Sequence, residues 1–238
     1  MCTSDGDRRD NRRSSSRTSL ILLSAAIFFL AAAVIPVCAA APLNATFCVH
    51  DGAEAFHAEI EIINAERYAF VEPGILGEEI PRSVTNTTLR HTDNQTPAEF
   101  KEDAFGRSIS FEKGNYTIEY DAALKNKNFQ FIFNALYNIT LYLPQGYDVR
   151  NPLLGATGTG SVVSTVDSRY LTEELAAKNV TFTGGNGTIK VFWQNRAFAD
   201  CRFYDDQQVF LLEVFGSIWL AVAAIFAVPY IMTRRRME

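Results

Sequence analysis

The feature that most constrains this chain is an uncharged apolar run over residues 214–232, which is followed after one residue by three arginines, residues 234–236. A helix of about 20 residues spans the hydrocarbon core of a bilayer. The arginines complete a stop-transfer pattern, and the positive-inside rule places them in the cytoplasm. A buried core helix is the alternative, but core helices rarely stay uncharged over such a length. The run therefore predicts a transmembrane helix over residues 209–233 and a cytoplasmic tail over residues 234–238.

A second apolar run lies near the N-terminus, over about residues 20–37, between five arginines and the small residues 39–41. This order is typical of a secretory signal peptide over residues 1–41. The run is nearly long enough to span a bilayer, so an uncleaved N-terminal anchor is the alternative. Pro42 disfavours a cut directly before it and favours one earlier in the alanine stretch. Under either interpretation, the residues between the two runs lie outside the cytoplasm.

The part between the runs, residues 42–208, is acidic. It holds 14 Lys and Arg residues against 22 Asp and Glu residues, a net charge of −8. Such a domain repels phosphate backbones, which argues against a nucleic-acid partner. Its length of about 165 residues is enough to bury one hydrophobic core. We therefore expect a single extracytoplasmic domain over residues 42–208, with the membrane as its partner and a protein of the cell envelope as a further candidate.

The acceptor sequence for N-glycosylation, Asn-x-Thr, occurs seven times, and every copy lies between the two apolar runs. The acceptors are Asn44, Asn86, Asn94, Asn115, Asn138, Asn179 and Asn186. None of the copies has proline in the middle position. Asn and Thr are also common in turns and strands, which is the alternative explanation. Seven copies confined to the predicted outer part favour glycosylation.

The four cysteines divide by position. Cys2 lies before the first apolar run and Cys38 lies in the signal segment, so Cys48 and Cys201 remain in the outer domain. In an oxidising compartment such a pair most often forms a disulfide, which stabilises by at most about 5 kcal/mol when it closes so long a loop. Two cysteines this far apart, without a His pair at ligand spacing, do not indicate zinc. We predict a disulfide between Cys48 and Cys201.

Alternation of apolar residues with a period of two dominates the outer domain and predicts strands. The predicted strands cover residues 57–63, 67–71, 107–112, 116–120, 129–133, 137–143, 161–166, 180–183, 189–193 and 198–204. The glycine-rich run over residues 183–188 predicts a hairpin turn, and residues 97–105 and 171–178 predict two short helices. About ten short strands joined by turns are typical of a β-sandwich. The predicted fold class is mainly β, a β-sandwich-like domain flanked by the two apolar helices.

One stretch of the domain resembles a known family. The run Tyr-Asn-Ile-Thr-Leu-Tyr-Leu-Pro-Gln-Gly-Tyr-Asp-Val over residues 137–149, followed by Asn-Pro-Leu-Leu-Gly over residues 151–155, is similar to a segment of an archaeal family of membrane-anchored domains of unknown function. The strand over residues 188–193 fits the same pattern. The resemblance implies a signal segment, a β-rich outer domain and a C-terminal transmembrane helix. It implies no catalytic residue.

Candidate chemical sites are few. His57, Glu59 and Glu61 alternate along one predicted strand, so they share a face that could bind a metal ion. A solvated strand face is the favoured alternative for these three residues. His50 lies close to Cys48, which is compatible with a Cys-His nucleophile, but the predicted disulfide is a better use of that thiol.

Two further patterns are compatible with a catalytic or a phosphate-binding site. The adjacent acids Glu78 and Glu79, and likewise Glu173 and Glu174, could act as glycosidase carboxylates, although such pairs are commonly solvated. The run over residues 155–160 resembles a phosphate loop, but it lacks the lysine of that motif and leads into a predicted strand. It is more simply interpreted as a flexible turn.

These observations favour a cell-surface glycoprotein with an interaction or envelope-structural role, and without catalytic activity or a cofactor. An accessory subunit of a membrane complex is one alternative, and an extracytoplasmic hydrolase that uses carboxylates is another. Residues 144–160 contain no glycosylation acceptor. We therefore expect this segment to form the face that meets a partner, since an interface needs about 800 Å² of free surface on each side.

Overall fold

A computed structural model of the protein describes residues 42–237, so the predicted signal or anchor segment over residues 1–41 lies outside the described part. The strands are β1 (Leu43–Val49), β2 (Ala55–Ala69), β3 (Val71–Pro73), β4 (Glu79–Pro81), β5 (Val84–His91), β6 (Phe100–Glu102), β7 (Ser108–Ala123), β8 (Asn128–Leu143), β9 (Tyr147–Asp148), β10 (Ala156–Thr157), β11 (Ser161–Asp167), β12 (Asn186–Arg202) and β13 (Tyr204–Asp205). The helices are α1 (Arg169–Ala177) and α2 (Asp206–Met237). The fold is mainly β with one C-terminal apolar helix, as predicted.

Most strands belong to one sheet. Its hydrogen-bonded order is β10-β12-β8-β1-β2-β7-β5, with β11 also paired to β12 and β6 also paired to β7. β1 and β8 run parallel, whereas β1 and β2, β2 and β7, and β8 and β12 run antiparallel. Two small sheets accompany it, one of β3 and β4 and one of β9 and β13.

Four of the predicted pairs of short strands are single long strands that bend in the middle. β2, β7, β8 and β12 are 15 to 17 residues long. The pairing register shifts between Ile62 and Ala65 on β2, and between Trp193 and Arg196 on β12. Asn64 and Asn195, which lie at these shifts, have positive φ, and asparagine tolerates that conformation better than most residues. The bulges change the direction of each strand without ending it.

The bends fold the sheet onto itself, which produces the two layers of a sandwich. Phe47 on β1 pairs in register with Leu141 on β8. Its ring nevertheless lies 4.9 Å from that of Phe129 and 4.7 Å from that of Phe131, residues that a straight strand would place about 35 Å away from Leu141. The first half of β8 therefore crosses over the face of β1, and the aromatic core lies between the halves.

Alternation along β2 and β7 divides the two faces of the sheet. On β7, Tyr116, Ile118 and Tyr120 are buried in the aromatic core. Glu119 and Asp121, which point to the opposite face, are also buried, with about 5% and 6% of their surface exposed. The cover on that face is α1 with the chain that follows it, and α1 contributes the buried Leu171 and Leu175.

Three predicted elements are wrong, among them the hairpin turn over residues 183–188, which has no strand before it, and one is confirmed. Residues 97–105 form the short edge strand β6 and a turn rather than a helix, because Phe100, Lys101 and Glu102 pair with β7. Residues 180–183 are not a strand, although Val180 and Phe182 are buried, because their backbone groups bond to loops instead of a neighbouring strand. The predicted helix over residues 171–178 corresponds to α1.

The long helix α2 follows the domain without a linker. β12 ends at Arg202, β13 occupies Tyr204–Asp205, and α2 begins at Asp206. Within Asp206–Met232, an 18-residue window has a mean hydropathy of 2.3, and none of the residues in that window is buried. This helix is long and apolar enough to cross a membrane.

Candidate functional site

The most unusual chemistry in the described residues lies beneath α1, where three strands place reactive side chains in one line. Cys48 on β1 pairs in register with His57 on β2, and His57 pairs in register with Asp121 on β7. Residues directly opposite on neighbouring strands project to the same face. A thiol, an imidazole and a carboxylate therefore follow one another across the sheet, in the order found in Cys-His-Asp nucleophilic sites.

Asp121 is the centre of this group. Its carboxylate accepts hydrogen bonds from His57 Nδ1 and from Asn86 Nδ2, each at 2.7 Å, and His50 Nε2 lies 3.8 Å away. Burial by itself would raise the pKa of Asp121, but the contacts with His50, His57 and Asn86 outweigh it and hold that pKa well below its usual range. Asp121 is thus a buried, ionised carboxylate that is compensated on several sides.

The thiol does not complete a nucleophilic site. Burial, followed by the charge of Glu59, raises the pKa of Cys48 to about 12. The residue packs with Tyr142, Leu171 and Leu175 in a small apolar cluster that α1 closes. The Nε2 atom of His57 has no hydrogen-bond partner, so no contact draws the proton from the sulfur. A reactive cysteine needs the opposite features, which are a lowered pKa and access.

A second set of charges lies beside the first. Lys178, just after α1, places its Nζ atom 3.1 Å from a carboxylate oxygen of Glu59 and 3.1 Å from one of Glu119. Arg90 Nε lies 3.7 Å from Glu119. Burial would lower the pKa of Lys178, but the two carboxylates raise it on balance. The buried Glu119 is therefore neutralised by cations from two different elements.

Both charge groups fasten the covering segment to the sheet. Thr183 donates from its backbone N and from Oγ1 to the carboxylate of Asp51, at 2.6 and 2.9 Å. Thr181 Oγ1 lies 3.3 Å from His50 Nδ1. Together with the bonds of Lys178, these contacts hold the end of α1 and the chain after it over the polar face. The arrangement acts as a structural clamp, because each charged side chain in it pairs with, or hydrogen-bonds to, a neighbouring residue.

These contacts argue against a metal site at His57, Glu59 and Glu61 on β2. His57, Glu59 and Glu61 do share a face, but each has a separate partner: Asp121, Lys178 and Asn44, respectively. Among residues 42–237, no group of three or more His, Cys, Asp or Glu residues converges as a metal site. The favoured alternative of a solvated face is wrong for His57, of which about 5% is exposed.

The predicted disulfide is not formed in the structure, and Cys48 and Cys201 are both free and buried. Cys48 belongs to the small cluster beneath α1, whereas Cys201 belongs to the aromatic core and pairs with Phe129. The two side chains thus project into separate clusters on opposite faces of the sheet. The positions of the two cysteines in the sequence indicated that they lie near the two ends of the domain. They did not indicate the face of the sheet to which each side chain projects.

The glycosylation acceptors lie at the surface of the domain. Asn44, Asn86, Asn94, Asn115, Asn179 and Asn186 are exposed, and Asn138 is partly exposed. The Asn94 acceptor is constrained only within its own turn, since its Oδ1 accepts bonds only from the backbone N and Oγ1 of Thr96. In contrast, the amide of Asn86 is bonded to Asp121. Exposure makes glycosylation sterically feasible, and its use stays a prediction.

The segment over residues 144–160 lies beside the start of α2. Tyr147 and Asp148 pair with Tyr204 and Asp205, directly before α2. Asn151 donates its backbone N–H to the Tyr204 hydroxyl. This end of the domain is the one tied to α2, so it is a poor place for the soluble partner that the absence of sequons suggested. Residues 155–160 lead into β11, which agrees with a turn rather than a phosphate loop.

The adjacent acid pairs do not form an acid-base site. Glu78 and Glu79 belong to the β3–β4 hairpin, and Glu173 and Glu174 to α1, and all four are exposed. The sequence patterns did not single out the two buried carboxylates that pair with neighbouring elements, Asp121 and Glu119. Their alternation with apolar neighbours on β7 has the pattern of a half-solvated strand, and no local signal reveals that α1 covers them.

Comparisons with known proteins add little. No protein family and no curated protein matches the chain. Among solved structures, the chain is similar to a crystal structure of an aminopeptidase N family protein from Idiomarina loihiensis, with 10% identity and a TM-score of 0.31. The match covers 63% of this chain and 29% of that one. A likeness at that level supports no argument about function.

Proposed function

We propose that this chain is a membrane-anchored cell-surface protein whose β domain lies outside the cytoplasm and has an interaction or envelope-structural role rather than a catalytic one. The observation that carries the proposal is α2, which contains an 18-residue apolar window within Asp206–Met232 that the domain does not bury. An exposed apolar surface of that length is unfavourable in water and favourable in a bilayer.

The charge pattern supports the outer location of the domain. The arginines at residues 234–236 follow the apolar stretch directly, and such clusters favour the cytoplasmic side. Seven Asn-x-Thr acceptors lie on the domain and none lies beyond it. The resemblance to archaeal membrane-anchored proteins agrees with this orientation.

The state of the polar residues supports a non-catalytic role. His57 and Asp121 are buried and bonded to each other, and the neighbouring thiol of Cys48 has a raised pKa. Functional acids and bases usually combine a shifted pKa with a cleft that admits a substrate. Here the shifted groups lie beneath α1, where they stabilise the fold.

The orientation can be tested by labelling with a membrane-impermeant maleimide. The background is a full chain with Cys2→Ser and Cys38→Ser, in which the buried Cys48 and Cys201 should stay unlabelled. We expect the Asn94→Cys variant to be labelled in intact cells, and the Met237→Cys variant to be labelled only after permeabilisation. The opposite pattern would refute the proposed location of the domain.

A further inference from the structure

The β3–β4 hairpin ends in two aliphatic side chains that the domain does not cover. Ile75 and Leu76 are about 101% and 93% exposed, more than any other large apolar side chain that the structure describes. Single exposed apolar residues are ordinary, but an adjacent pair at the tip of a protruding turn has a large cost in water. The pair therefore suggests an apolar surface outside the domain that receives it.

Several backbone groups of this tip are already paired. Gly74 N donates to Glu78 O at 2.7 Å, and Gly77 N donates to Gly74 O at 3.0 Å. Leu76 N donates to the Glu78 side chain, Oε2, at 2.8 Å. A Cβ at Gly74 would lie 2.3 Å from the Glu78 carboxylate, so a larger residue there would displace that flexible side chain. Paired backbone groups lower the cost of placing a turn in a medium that is poor in water.

The hairpin and the anchor helix are held by one turn of the chain. Lys125, in the turn between β7 and β8, places Nζ 3.1 Å from Glu72 Oε1 at the base of the hairpin. Lys127, in the same turn, pairs with Asp205 and lies 3.2 Å from Gln208 Oε1 at the start of α2. The base of the hairpin is thus at the end of the domain from which the helix leaves.

The hairpin also lies close to other residues at that end. Pro73 lines a cavity together with Lys125 and Asn128. Asn128 pairs with Arg202, four residues before α2 begins. Ile75 lies three residues beyond Glu72, a reach of about 10 Å.

We propose that Ile75 and Leu76 insert into the outer interface of the bilayer that α2 crosses, which gives the domain a second contact with the lipid. This inference rests on the proposed membrane anchoring. The interfacial layer is about 5–8 Å thick on each side, so the tip can reach it from the junction. Glu78 and Glu79 directly follow the tip, so apolar insertion, rather than attraction to anionic lipids, would drive the contact.

Two contacts would fix the tilt of the domain, which one helix alone would leave free to swivel. Leu153, with about 73% of its surface exposed, follows closely on Asn151, which is bonded to Tyr204 at the same end. It is placed to add a third apolar contact. The opposite end, with the bends at Asn64 and Asn195, would then face away from the membrane and be free to meet partners.

The experiment uses the full chain, with Cys2→Ser and Cys38→Ser, reconstituted into phosphatidylcholine vesicles. Ile75→Cys and Leu76→Cys variants carry an environment-sensitive fluorophore, as does the matched control Leu136→Cys. Leu136 is about 52% exposed and lies at the bend of β8. A Leu220→Cys variant reports the apolar part of α2. Quenching is compared for aqueous iodide and for nitroxide-labelled lipids.

We expect the two tip labels to be blue-shifted, quenched by lipid nitroxide and shielded from iodide, while the Leu136 position shows the reverse. Tip labels that behave like the Leu136 label, with the Leu220 label quenched by lipid, would overturn the insertion and leave the anchor intact. A Leu220 label that lipid does not quench would refute the anchoring itself. Shielding of the tip from iodide without lipid quenching would indicate a protein contact and would also overturn the insertion.

Discussion

Replacing Asp121 by alanine tests whether the buried polar cluster holds the domain together. Asp121 accepts two hydrogen bonds of 2.7 Å, from His57 Nδ1 and Asn86 Nδ2. Removing the carboxylate leaves the buried His57 Nδ1 and the exposed Asn86 Nδ2 without this acceptor. It also leaves His50, whose Nε2 atom lies 3.8 Å from the carboxylate, without its neighbouring charge.

The expected loss follows from those contacts. A hydrogen bond to a charged group contributes about 1.5–3 kcal/mol, so the two bonds to Asp121 together contribute about 3–5 kcal/mol when the bond from the exposed Asn86 is at the low end. We expect Asp121→Ala to lower the free energy of unfolding by about 3–5 kcal/mol, a large part of the 5–15 kcal/mol typical of a domain. Asp121→Asn retains one acceptor oxygen and should lose roughly half as much.

The pH dependence has a defined sign. Because the contacts of Asp121 outweigh its burial, its folded-state pKa lies below the unfolded value of about 3.9. Such a carboxyl contributes stability that is fully present above the unfolded pKa and is lost as the pH falls through the folded pKa. The contribution of Asp121 should therefore be complete at pH 7 and begin to fall only below about pH 4.

Urea unfolding of the full chain in detergent micelles measures this effect. Trp193 is buried in the core, with about 1% exposed, and reports unfolding of the domain once Trp219 in α2 is replaced by phenylalanine. Asp93→Asn, at an exposed position, is the matched control. If Asp121→Ala unfolds at the same urea concentration as this control, the cluster does not stabilise the fold and the clamp is refuted.

Two further predictions concern the buried thiols and the ion pair of Lys178. Burial raises the pKa values of Cys48 and Cys201 to about 12. Both thiols should therefore resist iodoacetamide at pH 8 in the folded protein and react fully in urea without reductant. Recovery of a disulfide-linked peptide would contradict this prediction. Lys178→Met should lower the free energy of unfolding by about 2–4 kcal/mol, since it removes a close cation from the buried Glu119. Lys113→Met, at an exposed position, should leave urea unfolding unchanged, and equal midpoints for the two variants would contradict the role of Lys178.

Several features of the fold were accessible from local patterns. Alternation over residues 116–120 and 189–193 predicted strands, and both segments lie in long strands of the sheet. The same patterns could not reveal that neighbouring predicted strands are continuous, because a bulge at Asn64 or Asn195 interrupts alternation much as a turn does. The error over residues 97–105 has a related cause, since edge pairing with β7 overrides a weak helical preference.

The candidate site was less predictable than the fold. His57 was singled out, but its partner Asp121 lies 64 residues away. Pairing of β2 with β7 brings them together, and cover by α1 excludes water from them. The expected disulfide failed for the same reason, since the face on which each cysteine projects depends on register, and a shift by one residue reverses it.

The sequence by itself determined the apolar C-terminal helix, the mainly β character of the domain and the positions of its Asn-x-Thr sequences, because each depends on residues that are adjacent or a few positions apart. Only the tertiary structure decided which carboxylates are buried, where the free thiols lie and where the Ile75–Leu76 tip stands relative to α2. These properties depend on contacts between residues far apart in the chain, such as Lys127 with Asp205. Register and strand bending set such contacts, and no local pattern encodes either of them.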